Sequence, residues 1–352
     1  MAAGPGGAGT GTRRPAGHGC TLKQPPLRRT GTAVTFNGNS SEPFGQAASI
    51  LRRFAQDLTS PDGCLPFVRE PDIVHMGLNR LSSTQWIPRC EQLSHYLHNK
   101  LRVRREWGER VYAQLPASLP AQRELVASLA GHLRRDHREY FCAAGDVLRW
   151  SRANNALSWP GAAAAISGGE PLWHASQWVA DDLCILLPGR HGYELAAASL
   201  CAPSYWRLEE KIGRPLDQIH RPVPGFQQKL SPQLARFFDH LLPEYPVWRG
   251  NWSVVNSPDL LQRGGNTAEC TEPGALFLRV ERQSLRRLPE TGAVVFTIRV
   301  MINPLADLLA VAGAVAALRV AVQGMSPQES RYKSLAPLRP ALDAFFLSCE
   351  HV

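Results

Sequence analysis

An α+β fold built on one antiparallel five-stranded sheet is predicted by three observations. Five apolar or alternating runs crowd the stretch from residue 182 to residue 302. Two of them flank a glycine-bearing turn, and three follow a proline-rich helical segment. Helical periodicity, not alternation, dominates the chain on either side. No Gly-x-Gly-x-x-Gly opens a helix after a strand and no Walker A sequence is present, which argues against a bound dinucleotide or nucleoside triphosphate.

The elements are expected in this order. Residues 1–45 form a basic Gly/Pro-rich tail, with Arg13, Arg14, Lys23, Arg28 and Arg29 and no acid before residue 42. Such a segment cannot bury a core and is expected to be disordered. A single domain is expected over 46–352, with helical extensions at 46–175 and 304–352. Ala47–Leu58 reads as a helix stopped by Pro61-Asp62-Gly63. Ser83-Thr84-Gln85-Trp86 reads as a cap and helix start. Gln92–Leu115, ended by Pro116, and Gln122–Tyr140, opened by Pro120, read as long amphipathic helices. Asp182–Leu187 and Tyr193–Cys201 form a hairpin around Pro188–Gly192.

Pro203–His220 keeps helical spacing at Tyr205, Leu208, Ile212, Leu216 and Ile219, broken at Gly213 and Pro215. Pro215 is expected to start a short second helix that delivers His220 facing inwards. Pro232–Leu242 is a further helix, and 262–274, with Gly264-Gly265-Asn266, a loose loop. Three strands follow: Val247–Val255, Leu276–Gln283 and Gly292–Ile302. Alternation puts Arg249, Asn251 and Ser253 on one face of the first, away from Trp248 and Trp252, which read as core. It puts Arg279, Glu281 and Gln283 on one face of the second, and Arg299 with Val295 and Thr297 on one face of the third. Pro304 opens the helix Leu305–Val322, and Pro337–Leu347 is the last helix. Two strands, a helical crossing and a three-stranded meander make the layout of a PAS-type sheet with helices on one side.

Composition excludes several function classes. The chain has 352 residues and a formal charge of +9. No helix-turn-helix, zinc finger or aromatic RNP pattern accompanies that charge, so nucleic acid is not the expected partner. The longest apolar helix, Leu308–Leu318, falls short of the roughly 20 residues a bilayer span needs. Eight cysteines show no Cys-x-x-Cys pair. They are expected as reduced thiols in a cytoplasmic protein, with no zinc ribbon or ferredoxin-type cluster on this chain.

The segment Ile219-His220-Arg221-Pro222-Val223-Pro224-Gly225 stands out. Pro222 cannot continue the helix, so His220 is held at a helix end with its exit path restricted. A lone histidine on an apolar stripe is by default a packed core residue. His174 and His191 are rival ligand candidates, and Cys184 and Cys201 could supply a thiolate only in a cationic environment. Asp181 and Asp182 read as turn or surface acids.

His220-Arg-Pro-Val-Pro-Gly225, Arg249-Gly-Asn251-Trp252, Arg279-Val-Glu281-Arg282-Gln283 through Pro289, and Val295-Phe-Thr-Ile-Arg299, in that order, resemble the haem-dependent oxidative N-demethylase family, alpha-subunit type. Trp178-Val-Ala-Asp181-Asp182 and Met76-Gly-Leu-Asn-Arg-Leu81 fit the same family, so the resemblance covers roughly residues 60–322. It implies a haem-binding PAS-like fold with His220 as the proximal ligand of a haem b iron. It also implies oxidation of a small secondary amine such as dimethylamine by O₂. Electrons would come from NADPH through FMN and [2Fe–2S] centres on a partner reductase subunit. Glu281, Arg249 and Asn251 become candidate catalytic residues, and Arg279 and Arg299 candidate haem-holding residues beside His220. The Arg299-Val300-Met301 continuation departs from the family pattern, which leaves the amine open. A haem-based gas or redox sensor, or a non-haem scaffold binding a small ligand, are the alternatives, because function lives in the site and not in the fold.

Overall fold

Alternating side chains between residues 182 and 304 build the central sheet, and its two faces are what position the site. The structure is a computed structural model and describes residues 35–37, 65–70, 76–152, 154–226, 231–263 and 269–349. The basic tail before residue 35, the expected helix Ala47–Leu58, the turn at Pro61 and the Gly264–Asn266 loop lie outside the described residues. In chain order the elements are β1 (Thr35–Asn37), α1 (Pro66–Arg69), β2 (Asn79–Arg80), α2 (Leu93–Trp107), β3 (Tyr112–Gln114), α3 (Leu119–Asp136), β4 (Tyr140–Ala143), β5 (Val147–Arg152) and β6 (Asn155–Pro160). They continue as α4 (Ala162–Ser167), α5 (Pro171–Ser176), β7 (Asp182–Gly189), β8 (Gly192–Ser199), α6 (Leu216–Ile219), α7 (Ser231–His240), β9 (Val247–Val255), β10 (Phe277–Arg287), β11 (Val294–Pro304), α8 (Ala314–Gln323), α9 (Pro327–Tyr332) and α10 (Arg339–Ser348).

The fold is α+β, as expected, and the main sheet is larger than expected. It has seven strands in the order β2-β9-β10-β11-β7-β8-β3. The five expected strands are its centre, and all its pairs are antiparallel. The first of them, β7, pairs with the last, β11, so the hairpin docks directly onto the meander. The two added edges, β2 and β3, span two and three residues, too short to show alternation. A second sheet, β1-β6-β5-β4, was not expected.

Register assigns the faces. Trp252, Val280 and Met301 lie side by side, and Asn251, Glu281 and Val300 lie side by side on the opposite face. On the first face Leu183, Ile185, Ala197 and Val295 share a core with Leu97, Leu125, Leu129 and Leu172 from α2, α3 and α5. Farther along it Trp252, Leu278, Val280 and Met301 pack on Leu318 and Leu342 from α8 and α10. On the second face Cys184, Leu186, Leu195, Leu285 and Val294 pack on Ile219 and Phe238 from α6 and α7. Helices therefore cover both faces. The long helices of the terminal extensions take one side, and the crossing takes the other together with the end of α9.

Several helices break where backbone geometry forces it. The helix expected to run to Leu115 stops at Trp107, because Gly108 adopts φ +53°, and the chain re-forms as the edge strand β3. The one expected over Gln122–Tyr140 starts at Leu119 and stops at Asp136, leaving Tyr140 to begin β4. Leu305–Val322 divides at Gly313, φ +75°, into a 3₁₀ turn and α8. Pro203–Ile212 holds only a 3₁₀ turn at Leu208–Glu210, since Tyr205 takes φ +54° and donates its backbone N–H to the Gln262 carbonyl.

Candidate functional site

His220 is aimed by three local constraints. Pro215 starts α6, whose last residue is Ile219, and His220 caps it with its backbone N–H bonded to the Leu216 carbonyl at 2.9 Å. The imidazole Nδ1 lies 2.9 Å from the same carbonyl, and with a proton there Nε2 carries the lone pair. The ring stacks on Phe226 at 4.8 Å between centroids and 13° between planes. The Val223 N–H closes a turn on the His220 carbonyl, and Gly225 supplies the φ of +71° that brings Phe226 back over the ring. Burial pushes the His220 pKa down, opposed by the Leu216 carbonyl and helped by the Arg249 charge, so the imidazole is held neutral.

His220 opens into a cavity against the second face of the sheet. Leu186, Leu216, Val223, Phe226, Phe238, Leu285 and Phe296 form apolar walls. The cavity is also lined by Arg249 and Asn251 from β9, Gln283 from β10, and Tyr332 and Lys333 from the end of α9. Met76 and Leu78, from the first motif of the resemblance, also line it. A capping box between Ser326 and Glu329 starts α9. Ser334, at φ +55°, ends it, with the Leu335 N–H bonded to the Ser330 carbonyl. That sharp stop places Lys333 over β9.

The polar wall is a connected chain of hydrogen bonds. Lys333 Nζ donates to Asn251 Oδ1 at 2.8 Å and to the Trp252 carbonyl at 2.5 Å. With Oδ1 so engaged, Asn251 Nδ2 donates to Glu281 Oε2 at 3.2 Å and keeps a second N–H. Gln283 Nε2 donates to the same oxygen at 3.0 Å, and Arg279 Nε to Oε1 at 3.2 Å. Burial alone would raise the Glu281 pKa. The Arg279 charge, the hydrogen bonds from Asn251 and Arg279, and the Lys333 charge together hold it below the usual carboxylate value. Glu281 is thus a fixed anion behind Asn251 and Gln283, not a proton acceptor at the cavity surface. Arg249 differs from all of these, because its Nε is buried with no hydrogen-bond partner among the described residues.

The sequence candidates do not all converge. Arg249 and Asn251 share the cavity with His220, and Glu281 supports it from behind. Arg279 is fully buried and donates to the Leu260 and Ala202 carbonyls as well as to Glu281. Arg299 points to the other face of the sheet, where its Nη2 meets Asp181 Oδ2 at 2.5 Å and the Pro88 carbonyl at 3.1 Å. Asp181 and Asp182 are not surface acids, being 0% and 2% exposed. Asp182 accepts the Cys201 and Ala202 backbone N–H groups at 2.9 and 2.8 Å, so both acids fasten the hairpin to its surroundings.

His191 is exposed in the hairpin turn, and neither it nor His174 lines the cavity. Burial raises the Cys184 thiol pKa and pushes that of Cys201 up to about 12, so neither is a thiolate. A second cavity, lined by His95, Arg102, Glu106 and Trp107 of α2 and by Asp259 and Arg263, is more polar and open. Its Arg102 and Glu106 pair at 3.2 Å, and it lacks an apolar enclosure around an imidazole. Sequence reasoning missed Lys333 and Tyr332. The Ser326-x-x-Glu329 cap was a readable signal for α9, but not for where α9 lies.

The residues present fit a haem. Among the described residues no three His, Cys, Asp or Glu side chains are placed to hold a bare ion. A single neutral imidazole in an apolar slot suits a metal that a macrocycle already carries. The partnerless Nε of Arg249 matches the carboxylates at a haem's edge. Residues 77–342 match the family described as haem-dependent oxidative N-demethylase, alpha subunit-like, and the chain belongs to that family.

Proposed function

We propose that this member of the haem-dependent oxidative N-demethylase family is the oxygenase-type subunit of an amine-oxidising system. In this reading it binds haem b through His220 and removes a methyl group from a small secondary amine, dimethylamine or a close relative, using O₂. The observation that carries the reading is the tie of His220 Nδ1 to the Leu216 carbonyl, which leaves Nε2 as the ligating nitrogen in an apolar cavity. The succession of hairpin, helical crossing and meander, closed by the β7–β11 pair, supports a PAS-like description of the core.

A haem held by His220 would supply oxygen activation. The chain's own residues then have separable roles. Phe226 and the Leu216 carbonyl fix the plane of the His220 ring. The apolar walls exclude water, which strengthens polar interactions inside. Asn251, oriented by Lys333 and Glu281, offers its remaining N–H to a small polar ligand. Glu281 stays ionised and fixes the Asn251 and Gln283 side chains that line the cavity. Electrons reach this subunit from a separate flavin and iron–sulfur reductase, in keeping with the alpha-subunit description of the family.

The test is release of formaldehyde from dimethylamine by the haem-loaded protein supplied with a chemical or protein reductant. Catalytic release that is lost in Asn251→Ala is expected. Haem binding with no formaldehyde from any secondary amine would favour a sensor.

A further inference from the structure

We propose that Arg249, Lys333 and Tyr332 form a carboxylate-binding subsite at the mouth of the His220 cavity. The inference deepens the haem reading and rests on the same cavity. Its lining contains two cations, Arg249 and Lys333, and no Asp or Glu. Glu281, the nearest candidate counter-ion, sits behind the wall and is saturated by Arg279, Asn251 and Gln283. Lys333 spends two of its three donors on neutral oxygens, those of Asn251 and Trp252. Arg249 has a buried Nε with no partner, and among the described residues no carboxylate pairs with it. Compare Arg299 and Arg279, where buried guanidinium groups are met by acids and carbonyls.

A buried guanidinium N–H without a partner is costly, and because Arg249 lines the cavity its missing partner is expected to arrive with a ligand. The planar fork of Arg249 suits a carboxylate held by two parallel bonds. Tyr332 is half exposed at the same rim and supplies a hydroxyl. Two sources share this chemistry: a propionate of the haem itself, or a carboxylate carried by the amine substrate, as in an N-methyl amino acid.

The experiment titrates the haem-free protein with protoporphyrin IX and with its dimethyl ester, in wild type, Arg249→Gln and Lys333→Met. The haem-loaded protein is then titrated with N-methylglycine and with dimethylamine, followed by the Soret band. If propionates are the source, the free acid binds wild type about ten- to a hundredfold tighter than the ester, the range of one charge-assisted contact, and Arg249→Gln removes the difference. If the substrate is the source, the two porphyrins bind alike and N-methylglycine outcompetes dimethylamine by a similar factor in wild type alone. Should no porphyrin bind, the haem reading fails and the subsite is judged separately. Thermal stabilisation by phenylacetate but not phenylacetamide, lost in Arg249→Gln, would then still support it. A wild type indifferent to the charge of every ligand tried, or a preference for the charged ligands that both variants keep, would overturn it.

Discussion

Two regions of the seven-stranded sheet hold strand arginines in opposite states. On the face covered by the terminal extensions, Arg299 meets Asp181 and two backbone carbonyls, and Arg282 donates to the Gln85 and Trp86 carbonyls. On the opposite face, where the crossing packs, Arg279 is likewise met by Glu281 and two carbonyls, but Arg249, which lines the His220 cavity, has a buried Nε with no partner among the described residues. All four are arginines of β9, β10 or β11, so alternation alone does not separate them. What separates them is whether the fold supplies the partner. Where it does, the arginine is part of the core. Where it does not, a ligand is the natural completion.

The largest test of this contrast is stability in the ligand-free protein. Arg299→Met would strand the Asp181 carboxylate in the interior and is expected to cost about 3–5 kcal/mol in urea denaturation. Arg249→Met removes a cation that no acid among the described residues pairs with, and is expected to be neutral or stabilising. Equal losses for the two would erase the distinction between the two arginines.

The same contrast shows what was legible in the sequence. Two apolar runs around a glycine-bearing turn marked β7 and β8, period-2 alternation marked β9 to β11, and the Pro215 and Pro222 punctuation placed His220 at a helix end. The alternating Leu148/Trp150 and Leu157/Trp159 pairs of the small sheet were equally readable, as their burial shows, but they sat between two strongly helical regions. Arg299 was placed on the correct side of its own strand, yet nothing in the sequence related that side to the crossing helix. Face-to-face assignment depends on pairing register, which brings Arg282 opposite Arg299 and Glu281 opposite Asn251. Lys333 was invisible for a similar reason. It reaches β9 only because α9 ends sharply at Ser334.

Glu281 sharpens the comparison at the level of activity. Glu281→Gln keeps the shape but removes the anion that orients Asn251 and Gln283. Turnover is expected to fall about ten- to a hundredfold, the usual scale for a group that positions a site from behind, while the haem spectrum stays unchanged. Unchanged turnover would detach Glu281 from the site.

A smaller effect belongs to pH. Burial lowers the Lys333 pKa from 10.5 to about 8, with Glu281 opposing and Arg249 adding to the drop. Between about 8 and 10.5 the unfolded chain binds more protons at this group, so its contribution to folding becomes more favourable as pH rises through that window. Carboxylate binding runs the other way. It is expected to weaken as pH passes about 8 and Lys333 loses its charge, with the inflection absent in Lys333→Met titrations.

The most direct test of the account is a haem titration of the purified protein and of His220→Ala, followed by absorbance. Wild type is expected to take up one haem with a Soret band of histidine-ligated iron, while His220→Ala keeps its circular dichroism and thermal transition but loses that band. A wild-type protein that stays colourless, or a His220→Ala variant that fills with haem as fully as wild type, would contradict it.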